Sequence, residues 1–135
     1  MKKQYTDKHA IAGVKTLMPA LECFPNQFKN YVITIDIPEY SSICPKSGLP
    51  DCGKLVIKYI PGKNCLELKS LKLYILAYRN LGIFYENATN KILADFVKAV
   101  KPQGAYIKGE FTPRGGISTS VEAAWGKPVR LSDEK

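Results

Sequence analysis

What this sequence of 135 residues lacks narrows its class before any motif is found. No apolar run approaches the roughly 20 residues that cross a bilayer. The basic start MKKQYTDKHA has no apolar stretch behind it, so neither a membrane span nor a secretory signal is expected. There is a single histidine, His9, in a polar stretch, and no CxxC pair among Cys23, Cys44, Cys52 and Cys65. Zinc wants histidines or paired cysteines at short spacing, so no metal centre is expected. Cysteines spread this way do not frame a disulfide scaffold; they read as four reduced thiols of a cytoplasmic protein. Internal repeats and low-complexity segments are missing too.

What is present is ordinary in bulk and unusual in charge. The chain is 45% hydrophobic and 24% charged, and its length suits one domain over residues 1–135 with a modest core. The net charge of +8 and the pI near 9.3 favour anionic partners: phosphates, a dinucleotide or nucleic acid. The lysines are spread along the chain, so charge alone does not make it an RNA-binding module.

Residues 1–30 read as an irregular arm broken by Pro19 and Pro25. Residues 31–37 alternate as a half-buried strand through Ile33, Ile35 and Ile37. The stretch 38–53 is rich in Pro, Ser and Gly and predicts a loop, followed by a β-branched strand over 54–60 and a turn at 61–64. The segment 66–80 alternates at first, then turns rich in helix formers, which predicts a helix from about Ser70. A second helix over 84–100 repeats Ala88, Ile92, Phe96 and Val100 every four residues. Strands over 105–111 and 117–123 flank a turn at 113–116, and the tail over 126–135 is expected to be loose. The order ββααββ predicts an α+β fold, an antiparallel sheet with two helices on one face. Such a sheet has two edges to cover or to pair.

Several residues could carry chemistry. Cys44 precedes Pro45 and Lys46 in the predicted loop, with Asp51 further along it. A cysteine beside a cation can be a thiolate nucleophile, and a nearby carboxyl can move protons; a small hydrophobe and a turn aspartate would fit the spacing as well. Lys69 and Lys72 stand one helical turn apart, and Arg114 lies in Thr-Pro-Arg-Gly-Gly; all three could meet phosphate or be solvated surface. Phe84, Tyr85 and Glu86 open the second helix. A carboxylate beside aromatics suits a purine-like base, although Glu86 in a first turn is also explained by the helix dipole.

Together these segments carry a resemblance. ELKSLKLY at 67–74 resembles the signature of the 7-cyano-7-deazaguanine reductases. LECFPN at 21–26, SSICPKSGLPD at 41–51, YIP at 59–61, RNLGIFYEN at 79–87 and FTPRGGIS at 111–118 resemble the same family in the same order. The likeness covers residues 21–127 and fits the single-module form of the family. It implies the tunnelling fold, in which subunits join four-stranded sheets into a closed barrel. It also implies a homo-oligomer of two stacked rings with active sites between subunits, and no obligatory nucleic acid. The implied reaction is NADPH-dependent reduction of the nitrile of 7-cyano-7-deazaguanine, on the route to queuosine in tRNA. By resemblance, Cys44 would form a thioimide and Asp51 would donate protons. Leu66, Glu67, Leu68, Phe84, Tyr85 and Glu86 would bind the base, and Lys69, Lys72 and Arg114 the cofactor phosphates. Two departures stand out: Tyr85 where many members carry histidine, and Leu68 where serine is common.

Overall fold

Strand and helix periodicities build two sheets and three helices in the computed structural model, which describes residues 6–130. In chain order the elements are α1 (Asp7–Ile11), β1 (Cys23–Pro25), β2 (Ile33–Ile43), β3 (Pro50–Ile60), β4 (Asn64–Leu66), α2 (Leu68–Leu76), a 3-10 turn (Ala77–Asn80), α3 (Tyr85–Val100), β5 (Gly104–Arg114) and β6 (Ile117–Gly126). The long strands form one antiparallel sheet in the order β2-β3-β5-β6, and β1 pairs with β4 in a separate short ladder. The predicted α+β fold with its ββααββ order is therefore present.

One face of the sheet carries the core. Leu55, Ile57 and Tyr59 of β3 and Ala105, Ile107 and Phe111 of β5 are buried against Leu71, Tyr74 and Ile75 of α2 and Ala88, Ile92, Phe96 and Val100 of α3. On β3 and β5 the alternate residues point the other way and include the charged Lys54, Lys58, Lys108 and Glu110; Lys54 and Lys108 both pair with Glu110, at 3.2 and 3.4 Å. A period of two thus separates an apolar layer from a polar one.

Three predicted boundaries move. The stretch 38–53 is mostly strand, because a bulge between Ile37 and Tyr40 absorbs Pro38 and Glu39 and pairing resumes from Tyr40↔Gly53 to Ile43↔Pro50. Only residues 44–49 remain as a turn. Helix α2 starts at Leu68 rather than near Ser70, because the Glu67 carboxylate accepts from the backbone N–H groups of Lys69 and Ser70, both at 2.8 Å, and caps the first turn. The arm is interrupted by α1 and β1. Residues 1–5 of the arm and 131–135 of the tail lie outside the described residues.

Candidate active site

The site begins at the β2–β3 hairpin. Ser42 faces Asp51 directly in the ladder, and the Cys44 N–H donates to the Leu49 carbonyl at 2.9 Å, closing the turn over residues 44–49. The cysteine is half-buried, and Asp51 is 4% exposed. Burial pushes the Cys44 thiol up. Hydrogen bonds from the Ser47 hydroxyl and from the backbone of Ser47 and Lys46 outweigh that, although Asp51 opposes them, and the thiol ends below its ordinary value. The hairpin therefore favours the nucleophilic thiolate.

A second segment docks beside it. The Ile43 N–H donates to Leu81 and the Ile83 N–H to Ile43, so residues 81–83 run parallel to the end of β2. This lays the first turn of α3 against the hairpin. The Tyr85 hydroxyl donates to Asp51 Oδ1 at 3.1 Å, while its ring stacks on Phe111, with centroids 4.1 Å apart and planes 15° from parallel. Gly53 and β5 fit together closely: a Cβ at Gly53 would stand 2.5 Å from the Glu110 carbonyl oxygen and 2.7 Å from the Phe111 ring. Burial, then the charge of Asp51, raises the Tyr85 phenol above its ordinary value. Glu86 is exposed, and Phe84 is half-buried at the N-cap position of α3.

Arg114 closes the group from the end of β5: its guanidinium donates to Asp51 Oδ1 in an ion pair. Asp51 holds the guanidinium even further above its ordinary value. The residue expected on a phosphate therefore meets the residue expected to donate protons.

The other expected residues lie elsewhere. Leu66 is buried at the far end of β3, where its N–H donates to the Tyr59 hydroxyl at 3.0 Å. Asp51 and Tyr59 stand eight residues apart along that strand, which is about 26 Å at the usual strand rise. Glu67 caps α2 at this far end, and Leu68, Lys69 and Lys72 are exposed on the outer side of the helix. The chain thus holds the expected residues in two groups: Cys44, Asp51, Phe84, Tyr85, Glu86 and Arg114 at one end, and Leu66, Glu67, Leu68, Lys69 and Lys72 towards the other. A cleft of about 680 Å³ lies beside the first group without including Cys44 or Asp51; Tyr40, Cys52, Arg79 and Thr112 are among its lining residues.

Four further residues stand beside the first group without a signal of their role in the sequence: Tyr40, Ser42, Ser47 and Phe111. Tyr40 and Ser42 fall in the stretch 38–53 whose composition predicts a loop. Their strand alternation with Ser41 and Ile43 was the available signal.

Comparison with known proteins gives the family. The family model described as QueF-like protein matches residues 50–130. A NADPH-dependent 7-cyano-7-deazaguanine reductase from Elusimicrobium minutum is 52% identical over 124 residues, covering 91% of this chain and 94% of that protein. Proteins of the same name from Chloroherpeton thalassium and Chlorobaculum tepidum are 58% and 49% identical, over 78% and 79% of this chain and 92% and 93% of theirs. Among solved structures, the apo archaeosine synthase QueF-Like superposes with a TM-score of 0.69 at 22% identity, over 75% of this chain and 99% of that one; at that identity the likeness speaks to fold alone. The hairpin thiol, the carboxyl beside it and relatives that match nearly the whole chain have one explanation: the chain belongs to the QueF-like family of NADPH-dependent 7-cyano-7-deazaguanine reductases.

Proposed function

We propose that this chain reduces the nitrile of 7-cyano-7-deazaguanine to the primary amine with NADPH, through a covalent intermediate on Cys44. The observation that carries the reading is a thiol lowered by its own turn beside a buried carboxyl, in a chain about half identical to reductases of that name. A nitrile accepts hydride poorly. Cys44 Sγ adds as thiolate to the nitrile carbon while the nitrogen takes a proton from Asp51, giving a thioimide. Two NADPH molecules, bound in turn, would each supply one hydride, the first to the thioimide carbon and the second to the imine carbon left when Cys44 Sγ departs. A second proton reaches the nitrogen before that departure, so one nitrile, two NADPH and two protons yield one amine and two NADP⁺. Tyr85 orients Asp51 through its hydroxyl and offers its ring to the base, and Glu86 accepts from the base's N–H groups.

The residues present fit a dinucleotide phosphate. Lys69 and Lys72 are exposed cations on the first turns of α2. The backbone N–H groups of Lys69 and Ser70 are taken by Glu67, so side chains rather than the helix end would hold the phosphate. Arg114 would exchange Asp51 for phosphate. Because one chain holds its candidate residues in two distant groups, the working site is proposed to join the hairpin end of one copy to the α2 end of another. The edge strands β2 and β6 offer the pairing that would close a homo-oligomeric barrel. Four free thiols suit the reducing cytoplasm. The test is to mix the protein with the nitrile and NADPH and follow the nicotinamide absorbance. Loss of two NADPH per nitrile is expected. NADPH that stays unoxidised while the protein consumes the nitrile would overturn the reading.

A further inference from the structure

Two buried hydroxyls sit behind Asp51 without a partner. Ser42 is fully buried and Tyr40 is 2% exposed, and neither Ser42 Oγ nor Tyr40 Oη has a hydrogen bond. The serine lies near enough to hold the phenol of Tyr40 down against the push of burial, but the pair does not reach hydrogen-bond geometry. Buried polar atoms are nearly always paired, so two adjacent orphans need a reason.

Their position supplies one. Ser42 is the direct cross-strand neighbour of Asp51 and Tyr40 pairs with Gly53, so both share the face of β2 that looks at Asp51. The Tyr40 ring meets Phe111 edge-on at 6.0 Å, and Phe111 stacks on Tyr85, so the hydroxyl pair and the Asp51–Tyr85 pair form one wall. Around Asp51 stand Arg114 from β5, Tyr85 from α3, Tyr40 from β2 and Cys44 from the turn. Both bonds to the carboxylate land on Oδ1.

We propose that Ser42, backed by Tyr40, is a positioning residue for Asp51. Its hydroxyl takes Oδ2 when Arg114 turns away to phosphate, and holds the carboxyl toward the nitrile nitrogen. This rests on Asp51 being the proton donor proposed above. Once Arg114 leaves, Tyr85 alone would hold the carboxyl, at Oδ1, and a donor on Oδ2 would fix its plane. An unpaired buried hydroxyl does not add stability, so its removal should not lower the midpoint; a purely structural role for Ser42 predicts the reverse, a lower midpoint with turnover left alone.

The experiment uses the full chain and four variants: Ser42→Ala, Ser42→Thr, Tyr40→Phe and Asp51→Asn. For each, thermal midpoint, turnover, and half-saturation by nitrile and by NADPH are measured. The expected result for Ser42→Ala is turnover slower by about tenfold or more, unchanged half-saturation for both substrates, and a midpoint equal to or above the parent. Tyr40→Phe should follow in the same direction, and Ser42→Thr should restore part of the rate. The inference is overturned if Ser42→Ala and Tyr40→Phe turn over at the parent rate while Asp51→Asn does not. It is also overturned if rate and stability fall together in both variants. Full activity in Asp51→Asn would remove the assigned acid, and this inference with it.

Discussion

Replacing Tyr85 by Phe removes one oxygen and tests the junction on which the site depends. The hydroxyl donates to Asp51 Oδ1 at 3.1 Å. A hydrogen bond to a charged group contributes about 1.5–3 kcal/mol. This one is longer than the roughly 2.5–2.7 Å of a tight O–H···O⁻ bond, and Arg114 shares the same oxygen, so the lower end is the fair figure. Tyr85→Phe should therefore cost about 1.5 kcal/mol near neutral pH, or roughly 4–7 °C in melting midpoint for a chain of this size. The ring stack on Phe111 should survive, because it needs no oxygen. The pH dependence gives a second check. The folded phenol is raised above its ordinary value by burial and by Asp51. A raised group contributes stability that is present below its unfolded value and lost as pH climbs through the folded one. The stability gap between parent and variant should hold up to about pH 10 and narrow above it. The raised phenols of Tyr40, Tyr59, Tyr74 and Tyr78 occur in both proteins and cancel in the difference. Urea unfolding of both proteins between pH 6 and 11 is the assay. Equal stability throughout, or a gap that widens above pH 10, would refute the reasoning.

The remaining predictions concern the other parts of the site. Alkylation of Cys44 should reach half its maximal rate at a pH below that of a free thiol, and Ser47→Ala should move that midpoint up, because the serine is the main source of the lowering; stopped-flow alkylation in the Cys23, Cys52 and Cys65 triple alanine variant reads this directly. Lys72→Glu should raise half-saturation by NADPH roughly tenfold or more while the nitrile adduct still forms, as a cofactor titration with intact-mass detection would show. Glu86→Ala should weaken nitrile affinity by roughly tenfold to a hundredfold and leave NADPH binding nearly unchanged in calorimetry.

Much of the architecture was legible because periodicity is local. Ile33, Ile35 and Ile37 announce β2, and the four-residue spacing from Ala88 to Val100 announces α3. The hairpin was not legible. Pro, Ser and Gly in 38–53 signal a loop, while a bulge and a proline at the first position of β3 let the strands run on. The start of α2 was missed because its cap is a glutamate, outside the usual Ser, Thr, Asp and Asn set. Cys44 was expected to be lowered by a neighbouring cation; the lowering comes instead from the Ser47 hydroxyl and backbone N–H groups, which only the folded turn aims at the sulfur. Nothing local could pair Arg114 with Asp51 across 63 positions, or separate Glu67 from Asp51 by the length of a strand. The first follows from the register of β3 against β5, the second from the length of β3.

The most direct test of the account is the mass of the protein after mixing with 7-cyano-7-deazaguanine in the absence of NADPH. The account predicts one nitrile added per chain, lost again when NADPH is supplied, and no addition in Cys44→Ala. Addition to Cys44→Ala at the parent level would contradict it, because the nucleophile would then lie outside the β2–β3 hairpin.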